Sequence, residues 1–270
     1  MFNRWAAVAL AAVLLSSPAQ AAPATAGNPP RPDHVVLVVL ENHTLSEIVD
    51  PKSAPFISGL AEGGALFVNA FAVSHPSQPN YFALFSGSTQ GVRDNRPYTF
   101  DAPTLAGALG AADKSFIGYI ETGSPRQHNP WESFANSRTA ERNLNEFPGD
   151  FSRLPTVSFV IPNLDHDMHD GSVRDGDAWL KAHLGAYAQW AKTHNSLLII
   201  TFDEDDYSAA NRIPTIFYGA HVRPGRYAGR ISHYNVLSTL LAMYALAPFA
   251  ETATAPPIGA IWDRRGATAP

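Results

Sequence analysis

The sequence predicts an α/β fold, a sandwich built around a largely parallel sheet. Two continuous apolar runs, HVVLVVL at 34–40 and SLLIITF at 196–202, have the composition of strands that are buried on both faces. Other strand-like segments alternate along the chain with segments of helical pattern, which is typical of parallel α/β architecture. With 270 residues, of which 45% are hydrophobic, the chain is long and apolar enough to form a substantial core.

The order of the predicted elements follows from these patterns. Acidic residues lead the longest amphipathic segment, 175–193, and suit the N-terminus of a helix. The stretch 121–153 lacks clear periodicity, and we interpret it as an excursion over the functional face of the sheet. We expect strands at 34–40, 65–72, 115–120, 156–161, 196–202 and 214–218, and helices at 55–61, 80–86, 104–109, 175–193 and 232–246.

The first residues have the three-part pattern of a secretory signal peptide. Arg4 provides a positive charge, 5–15 is a short apolar run, and Ala19-Gln20-Ala21 offers a small-x-small cleavage site. A retained anchor helix is the alternative, but Pro18 and the small residues follow too soon for a membrane span. We expect a signal peptide, a flexible lead-in and a single domain at 1–21, 22–33 and 34–265. The mature protein would then be periplasmic or secreted, without an integral membrane segment.

Composition excludes several classes of function. The chain has no cysteine, so a disulfide framework, a Cys-ligated zinc site, an iron–sulfur cluster and a thiol nucleophile are all ruled out. Its net charge is −5 and its basic residues are scattered, which argues against a nucleic-acid partner. The oligomeric state stays open.

Acidic and histidine residues cluster where predicted strands end. Glu41-Asn42-His43 and 203–206 (DEDD) directly follow the two apolar runs, 165–170 (DHDMHD) follows another strand, and His233 begins the last helix. A single carboxylate after a strand is often only a helix N-cap. Several such clusters at strand ends favour a shared site, because ionisable groups at a dry sheet edge are costly without a partner. Carboxylate and imidazole ligands suit a divalent cation.

Ser77 is the candidate nucleophile. It lies between two prolines in 74–81 (SHPSQPNY), ahead of the helix expected from about Asn80. A helix N-terminus stabilises phosphate, and a serine hydroxyl needs a base or a cation to activate it. The alternative is a structural turn with Ser77 as N-cap. A Ser-His-Asp triad is disfavoured because no G-x-S-x-G elbow surrounds the serine.

Taken in order, these motifs resemble those of a known family. Glu41-Asn42-His43, 75–81, 165–171, 202–206 and His233-Tyr234 are similar to the motifs of the bacterial phosphoesterase family of secreted acid phosphatases and phospholipases C. That family belongs to the alkaline phosphatase superfamily, and the resemblance runs from about residue 34 to residue 262. It implies an α/β/α sandwich around a mixed sheet.

The resemblance also implies roles for individual residues. Ser77 matches the metal-bound nucleophile that is transiently phosphorylated, and Asn95 resembles an asparagine that binds a phosphate oxygen. One or two divalent cations are implied, with zinc, manganese and calcium all open. The metal ligands implied are Glu41, Asn42, Ser77, Asp203 and Glu204 for a first cation, and Asp165, His169 and His233 for a second.

The expected activity is hydrolysis of small phosphomonoesters through a phosphoserine on Ser77. A phospholipase C-type phosphodiesterase is the first alternative, and an exported metal- or phosphate-binding protein without turnover is the second. Tyr81 stands where the sulfatase signature has arginine, so conversion of Ser77 to formylglycine is not expected.

Overall fold

A computed structural model describes residues 28–138 and 140–263, and the predicted signal peptide lies outside these residues. In the described part of the chain, nine strands form one mixed sheet flanked by helices. The strands are β1 His34–Leu40, β2 Ala65–Phe71, β3 Phe116–Ile120, β4 Glu141–Asn143, β5 Val157–Ile161, β6 Ser196–Phe202, β7 Arg212–Gly219, β8 Gly225–Tyr227 and β9 Ile231–Ser232. The α-helices are α1 Leu45–Ile48, α2 Pro55–Gly63, α3 Ser77–Ser86, α4 Leu105–Ala111, α5 Val173–Ala191 and α6 His233–Met243.

The sheet is mostly parallel, as predicted. Its strand order is β4-β3-β5-β1-β6-β7-β2-β8, and β9 also pairs with β2. The five strands from β4 to β6 are parallel to one another. Strand β7 runs antiparallel to both of its neighbours, β6 and β2. The α/β prediction with a mixed, mostly parallel sheet is therefore confirmed.

The two apolar runs form the centre of the sheet. Strands β1 and β6 pair in register along their whole length, with Leu40 opposite Phe202. The backbone N–H of Asp203 then donates to the Leu40 carbonyl at 2.9 Å. Side chains that come directly after these two strands must therefore lie side by side at the same edge of the sheet.

Helices pack in pairs against this sheet. Helix α2 packs against α5, and α3 packs against α6, in the arrangement of an α/β/α sandwich. The buried Asp177 carboxylate on α5 accepts hydrogen bonds from the first turn of α2, at 3.1 Å from Phe56 N and 2.8 Å from Ile57 N. No helix in the described ranges is both long enough and apolar enough to span a bilayer.

The short elements α1, β8 and β9 were not predicted, and two further regions differ from the sequence prediction. Helix α3 begins at Ser77 rather than near Asn80. Pro79 is tolerated there because the first turn of a helix needs no intrahelical N–H donor. The aperiodic stretch 121–153 contains short 3₁₀ helices and strand β4. It is anchored by the buried Trp131, which packs over Gly118 on β3, where a Cβ atom would lie 2.3 Å from the indole.

Candidate active site

The Ser77 hydroxyl lies at the first residue of α3, facing the ends of two strands. Its hydroxyl can donate a hydrogen bond to either of two carboxylate oxygens, because Oγ lies 3.0 Å from Glu41 Oε2 and 3.1 Å from Glu204 Oε1. These follow β1 and β6 respectively, and all three side chains are buried. The structure therefore brings together a hydroxyl and two carboxylates that are far apart in the sequence.

Neighbouring side chains fix the turn that presents Ser77. The Asn80 side-chain oxygen accepts hydrogen bonds from Val73 N and Ser74 N, both at 3.0 Å, and its nitrogen donates to the Ser74 carbonyl. The buried Gln78 side chain donates to the carbonyls of Asp94 and Arg96. Ser77 is not the N-cap, because Pro76 occupies that position. Its hydroxyl is thus available for the carboxylates.

Asn42 and Asp203 complete this cluster. Asp203 Oδ1 accepts the backbone N–H groups of Glu204 and Asn42, while its buried Oδ2 has no hydrogen-bond partner among the described residues. The Asn42 side-chain oxygen faces only acceptors. With the amide turned over, its nitrogen donates to Glu41 Oε2 at 2.9 Å and Asp203 Oδ1 at 3.2 Å. Converging oxygens of this kind are what a bound cation would satisfy.

Burial sets the electrostatics of the cluster. Removal from water raises the pKa of Asp203 to about 7. Burial, helped by the neighbouring Asp203 carboxylate, also raises the pKa of Glu204 to about 7. The pKa of Glu41 lies well above its usual range, because of burial first and then the charges of Asp203 and Asp167. Carboxylates this close and this dry favour either protonation or a cation.

A histidine and a tyrosine lie beyond the carboxylates. His75 Nδ1 lies 2.5 Å from Glu204 Oε2, and its Nε2 lies 3.2 Å from Asp205 Oδ1. The Tyr81 hydroxyl donates to Glu41 Oε1. Tyr81 therefore holds the Glu41 carboxylate from the side opposite the serine.

His128 and Asp167 are the residues that sequence reasoning missed. His128 Nε2 lies 3.3 Å from Glu41 Oε1, and its Nδ1 lies 3.4 Å from Asp167 Oδ2. One ligand atom from each of Glu41, His128 and Asp167 lies within 4.8 Å of the other two, and all three residues are buried. Burial lowers the pKa of His128 to about 3, so the imidazole is neutral and able to ligate a metal.

The missed residues carry different signals in the sequence. His128 belongs to the aperiodic stretch, where no pattern singles it out. Asp167 belongs to the DHDMHD motif, and its backbone carbonyl accepts the N–H of Glu41 at 2.8 Å. Burial raises its pKa to about 7. The family resemblance assigned Asp165 and His169 of that motif, and not Asp167, as metal ligands.

The three residues predicted for a second cation are not drawn together by any contact in the described ranges. Asp165 and His169 are exposed, and His169 Nδ1 lies 2.7 Å from the adjacent Asp170 carboxylate. His233 is buried at the start of α6, where its Nε2 lies 2.9 Å from the carbonyl oxygen of Phe202. Their role as ligands stays a prediction.

Asn95 lies beside the N-terminus of α3. Its side-chain oxygen accepts the backbone N–H of Gln78 at 3.0 Å. Its side-chain nitrogen makes no hydrogen bond to the described residues, and the side chain is exposed. The nitrogen therefore remains able to donate to a phosphate oxygen, the role predicted for it.

Solved structures with the same architecture define the fold class as that of the alkaline phosphatase superfamily. A superfamily member from Vibrio parahaemolyticus superposes with a TM-score of 0.61 at 14% identity, covering 84% of this chain and 72% of that one. The phosphonate monoester hydrolase of Agrobacterium radiobacter superposes with a TM-score of 0.57 at 13% identity, covering 81% and 74%. At these identities the likeness concerns the fold alone.

The chain belongs to the Phosphoesterase family, whose model matches residues 47–247. It is 52% identical to a phosphatidylinositol-3-phosphatase of Mycobacterium tuberculosis, over 85% of this chain and 82% of that protein. It is 30% identical to a phosphate-repressible acid phosphatase of Penicillium chrysogenum, over 70% of this chain. The chain spans about half the length of that fungal protein, 54%. The protein is thus a hydrolase of phosphoric ester bonds, as the sequence predicted.

Proposed function

We propose that this chain hydrolyses phosphomonoesters by nucleophilic attack of Ser77 on phosphorus. One observation carries the proposal: the Ser77 hydroxyl hydrogen-bonds two buried carboxylates, Glu41 and Glu204, at the start of α3. A serine hydroxyl is a weak nucleophile until a neighbouring group takes or polarises its proton. The site offers carboxylates for this purpose on two sides of the same oxygen.

The residues fit a divalent cation. The unpartnered Asp203 Oδ2 and the raised pKa values of the carboxyls both call for a positive charge. Glu41, Asn42, Ser77, Asp203 and Glu204 would hold it, and His128 with Asp167 offers further ligands beside Glu41. When bound, the cation would lower the pKa of the serine hydroxyl and neutralise charge on the phosphoryl oxygens.

The chain's own residues then account for the course of the reaction. Glu204 or Glu41 accepts the Ser77 proton, and the serine oxygen forms a bond to phosphorus while the bond to the leaving oxygen breaks. In the first turn of α3 the Gln78 N–H donates to Asn95 and Pro79 has no N–H, so the Ser77 N–H and the Asn95 side-chain nitrogen hold the phosphoryl oxygens. The protonated carboxyl passes its proton to the leaving oxygen. Water then attacks phosphorus, the bond from phosphorus to the serine oxygen breaks as phosphate is released, and a proton of the water passes to Ser77. The intermediate is a phosphoserine on Ser77.

The substrate class is a phosphomonoester. The name of the 52% identical relative favours a phosphorylated inositol lipid within this class. The phosphodiesterase alternative is tested by comparing p-nitrophenyl phosphate with p-nitrophenyl phosphorylcholine as substrates. Faster release of p-nitrophenol from the monoester is expected, and a preference for the diester would overturn this assignment.

The decisive experiment replaces the nucleophile. Ser77→Ala should lower kcat/KM for p-nitrophenyl phosphate by at least about 1000-fold, because no other hydroxyl in the described residues contacts both of these carboxylates. Ser74→Ala, which removes a hydroxyl that donates to the His75 carbonyl, is the matched control and should retain most of the activity. Rapid quenching of wild-type enzyme with labelled substrate should leave phosphate on Ser77. Retained turnover in Ser77→Ala would refute the mechanism.

We further propose that residues 1–21 direct export and that the mature chain folds as one domain over 34–265. The charged start, the apolar run and the small-x-small site support this. Expression of the full-length chain in a bacterial host should yield a processed protein outside the cytoplasm. N-terminal sequencing should then read Ala22 first, and an unprocessed cytoplasmic protein would contradict the proposal.

A further inference from the structure

Tyr207 stands out at the rim of the site. It is the one large hydrophobic side chain that is exposed within the described part of the chain, with 72% of its surface accessible. It belongs to the segment 205–211, defined here as the rim loop, which connects β6 to β7. This loop starts immediately after Glu204, one of the two carboxylates on Ser77.

The backbone of Tyr207 is held in an unfavourable conformation. Its φ angle is 69°, in the left-handed region that bulky side chains seldom occupy. The buried Asp205 carboxylate imposes the loop by accepting the N–H groups of Tyr207 at 2.9 Å, Ala209 at 2.7 Å and Asn211 at 3.0 Å. Strain of this kind persists where the surrounding structure over-determines it, and it concentrates at ligand sites.

Two residues, His75 and Glu204, connect the Tyr207 ring to the nucleophile. One face stacks on His75, with the ring centroids 3.9 Å apart and the planes inclined by 18°. His75 contacts Glu204 Oε2 at 2.5 Å, and Glu204 Oε1 accepts the Ser77 hydrogen bond at 3.1 Å. The ring is therefore fixed against the site by one face, while the rest of its surface faces solvent.

We propose that the solvent-exposed face of the Tyr207 ring packs against the leaving group of the substrate when that group carries a ring. The proposal rests on Ser77 as the site of attack, since it needs the phosphoryl group at Ser77 and a leaving group that extends toward the rim loop. A ring in the leaving group would pack against the exposed tyrosine and remove both apolar faces from water. A small alkyl leaving group has no ring to pack against Tyr207, so it would bind no more tightly because of this side chain.

Non-reactive inhibitors separate this role from chemistry. Phenylphosphonate carries a ring, methylphosphonate does not, and both offer the same charged group to the phosphate site. Tyr207→Gly should raise the inhibition constant of phenylphosphonate about 3- to 10-fold, the range that one aromatic contact provides. The constant for methylphosphonate should stay within about twofold. Tyr207→Phe keeps the ring and should behave as wild type with both.

Glycine is the replacement of choice because the variant is expected to fold. Glycine adopts a φ of 69° without strain, so Tyr207→Gly should fold and melt at or above the wild-type temperature. An equal rise in both inhibition constants would mean that Tyr207 merely shields the His75–Glu204 contact, and it would overturn the proposal. Unchanged constants in Tyr207→Gly would overturn it as well.

The test of the Tyr207 contact and the test of the proposed mechanism have different readouts. Ser77→Ala decides whether the serine is the nucleophile, through turnover. The ratio of the two inhibition constants decides whether Tyr207 contacts the leaving group, through binding alone. Either result can fail without the other.

Discussion

Two acidic regions of similar composition behave differently in the fold. The residues directly after β1 and β6 are buried and converge on Ser77. The DHDMHD segment begins four residues after the end of β5, and only Asp167 of its acidic residues turns inward, with Asp165 and Asp170 exposed. A sheet fixes the side chains at its edge by strand register, whereas a loop of a few residues decides by its own turns which side chain faces the site. Strand register therefore determines the positions of side chains directly after a strand, but not those of side chains several residues further along the loop.

Among substitutions of the acidic residues in these two regions, the largest expected effect is at Glu41, directly after β1. Glu41→Gln keeps the size of the side chain but removes the charge that accepts hydrogen bonds from Ser77 and Tyr81. We expect kcat/KM to fall about 100- to 1000-fold, the loss typical of removing one charged group from the reacting centre. The exposed Glu62→Gln on α2 is the control and should leave kcat/KM unchanged. Activity near wild type in Glu41→Gln would contradict the claim that the carboxylates directly after the strands form the active site.

A smaller effect should distinguish the two aspartates of the loop. Asp167→Asn removes a buried charge beside His128 and Glu41, and we expect kcat/KM to fall about 10- to 100-fold. Asp165→Asn changes an exposed side chain and should stay within about threefold. The reverse order would support the sequence-based assignment of the second cation to Asp165, His169 and His233. Metal content measured on both variants would show which of them has lost a ligand.

The buried carboxyls also predict how stability depends on pH when metal is removed. Asp203, Glu204 and Asp167 have native pKa values of about 7, above the value near 4 of an unfolded chain. The native state therefore binds more protons between these values, and the free energy of unfolding should fall as pH rises from about 4 to about 7 and then level off.

Melting with a chelator at about pH 5 and about pH 8 checks this dependence. The melting temperature should be lower at the higher pH, and added divalent cation should raise it most there, because the deprotonated carboxylates bind the ion. A melting temperature that rises with pH in the chelated protein would contradict the raised pKa values.

The smallest effect concerns a buried carboxylate with a purely structural role. Asp177 is satisfied by two backbone N–H groups of α2, and Asp177→Ala leaves both without their acceptor. We expect the free energy of unfolding to fall by about 2 kcal/mol in chemical denaturation, with kcat/KM unchanged. The exposed Gln189→Ala on the same helix should cost less than about 0.5 kcal/mol. Loss of activity in Asp177→Ala would contradict the purely structural role assigned to Asp177.

The same division describes how far the sequence could be used for prediction. The apolar runs of β1 and β6 predicted both the sheet and the proximity of Glu41 to Asp203 and Glu204, because register alone brings strand ends together. Ser77 was found by its setting between prolines and by resemblance to a family. Its exact position at the start of α3 was not predicted, since Pro79 suggested a later start.

The missed residues share a physical cause. His128 lies in 3₁₀ structure whose position depends on Trp131 packing over Gly118, a long-range contact that leaves no local pattern. Asp167 and Asp165 are two positions apart, and only the turn of the loop makes one buried and the other exposed. The strain at Tyr207 has a local cause instead, since the Asp205 carboxylate two residues earlier accepts the Tyr207 N–H.

The pairing of Leu40 with Phe202 limits how this molecule can be redesigned. Because side chains alternate between the faces of a strand, removing a single residue from either strand would keep the apolar composition of the sheet and yet turn one carboxylate to the opposite layer. The lengths of β1 and β6 therefore have to be kept in any engineered version. The loop that bears Tyr207 lies outside this constraint, so variation in substrate range is best sought there.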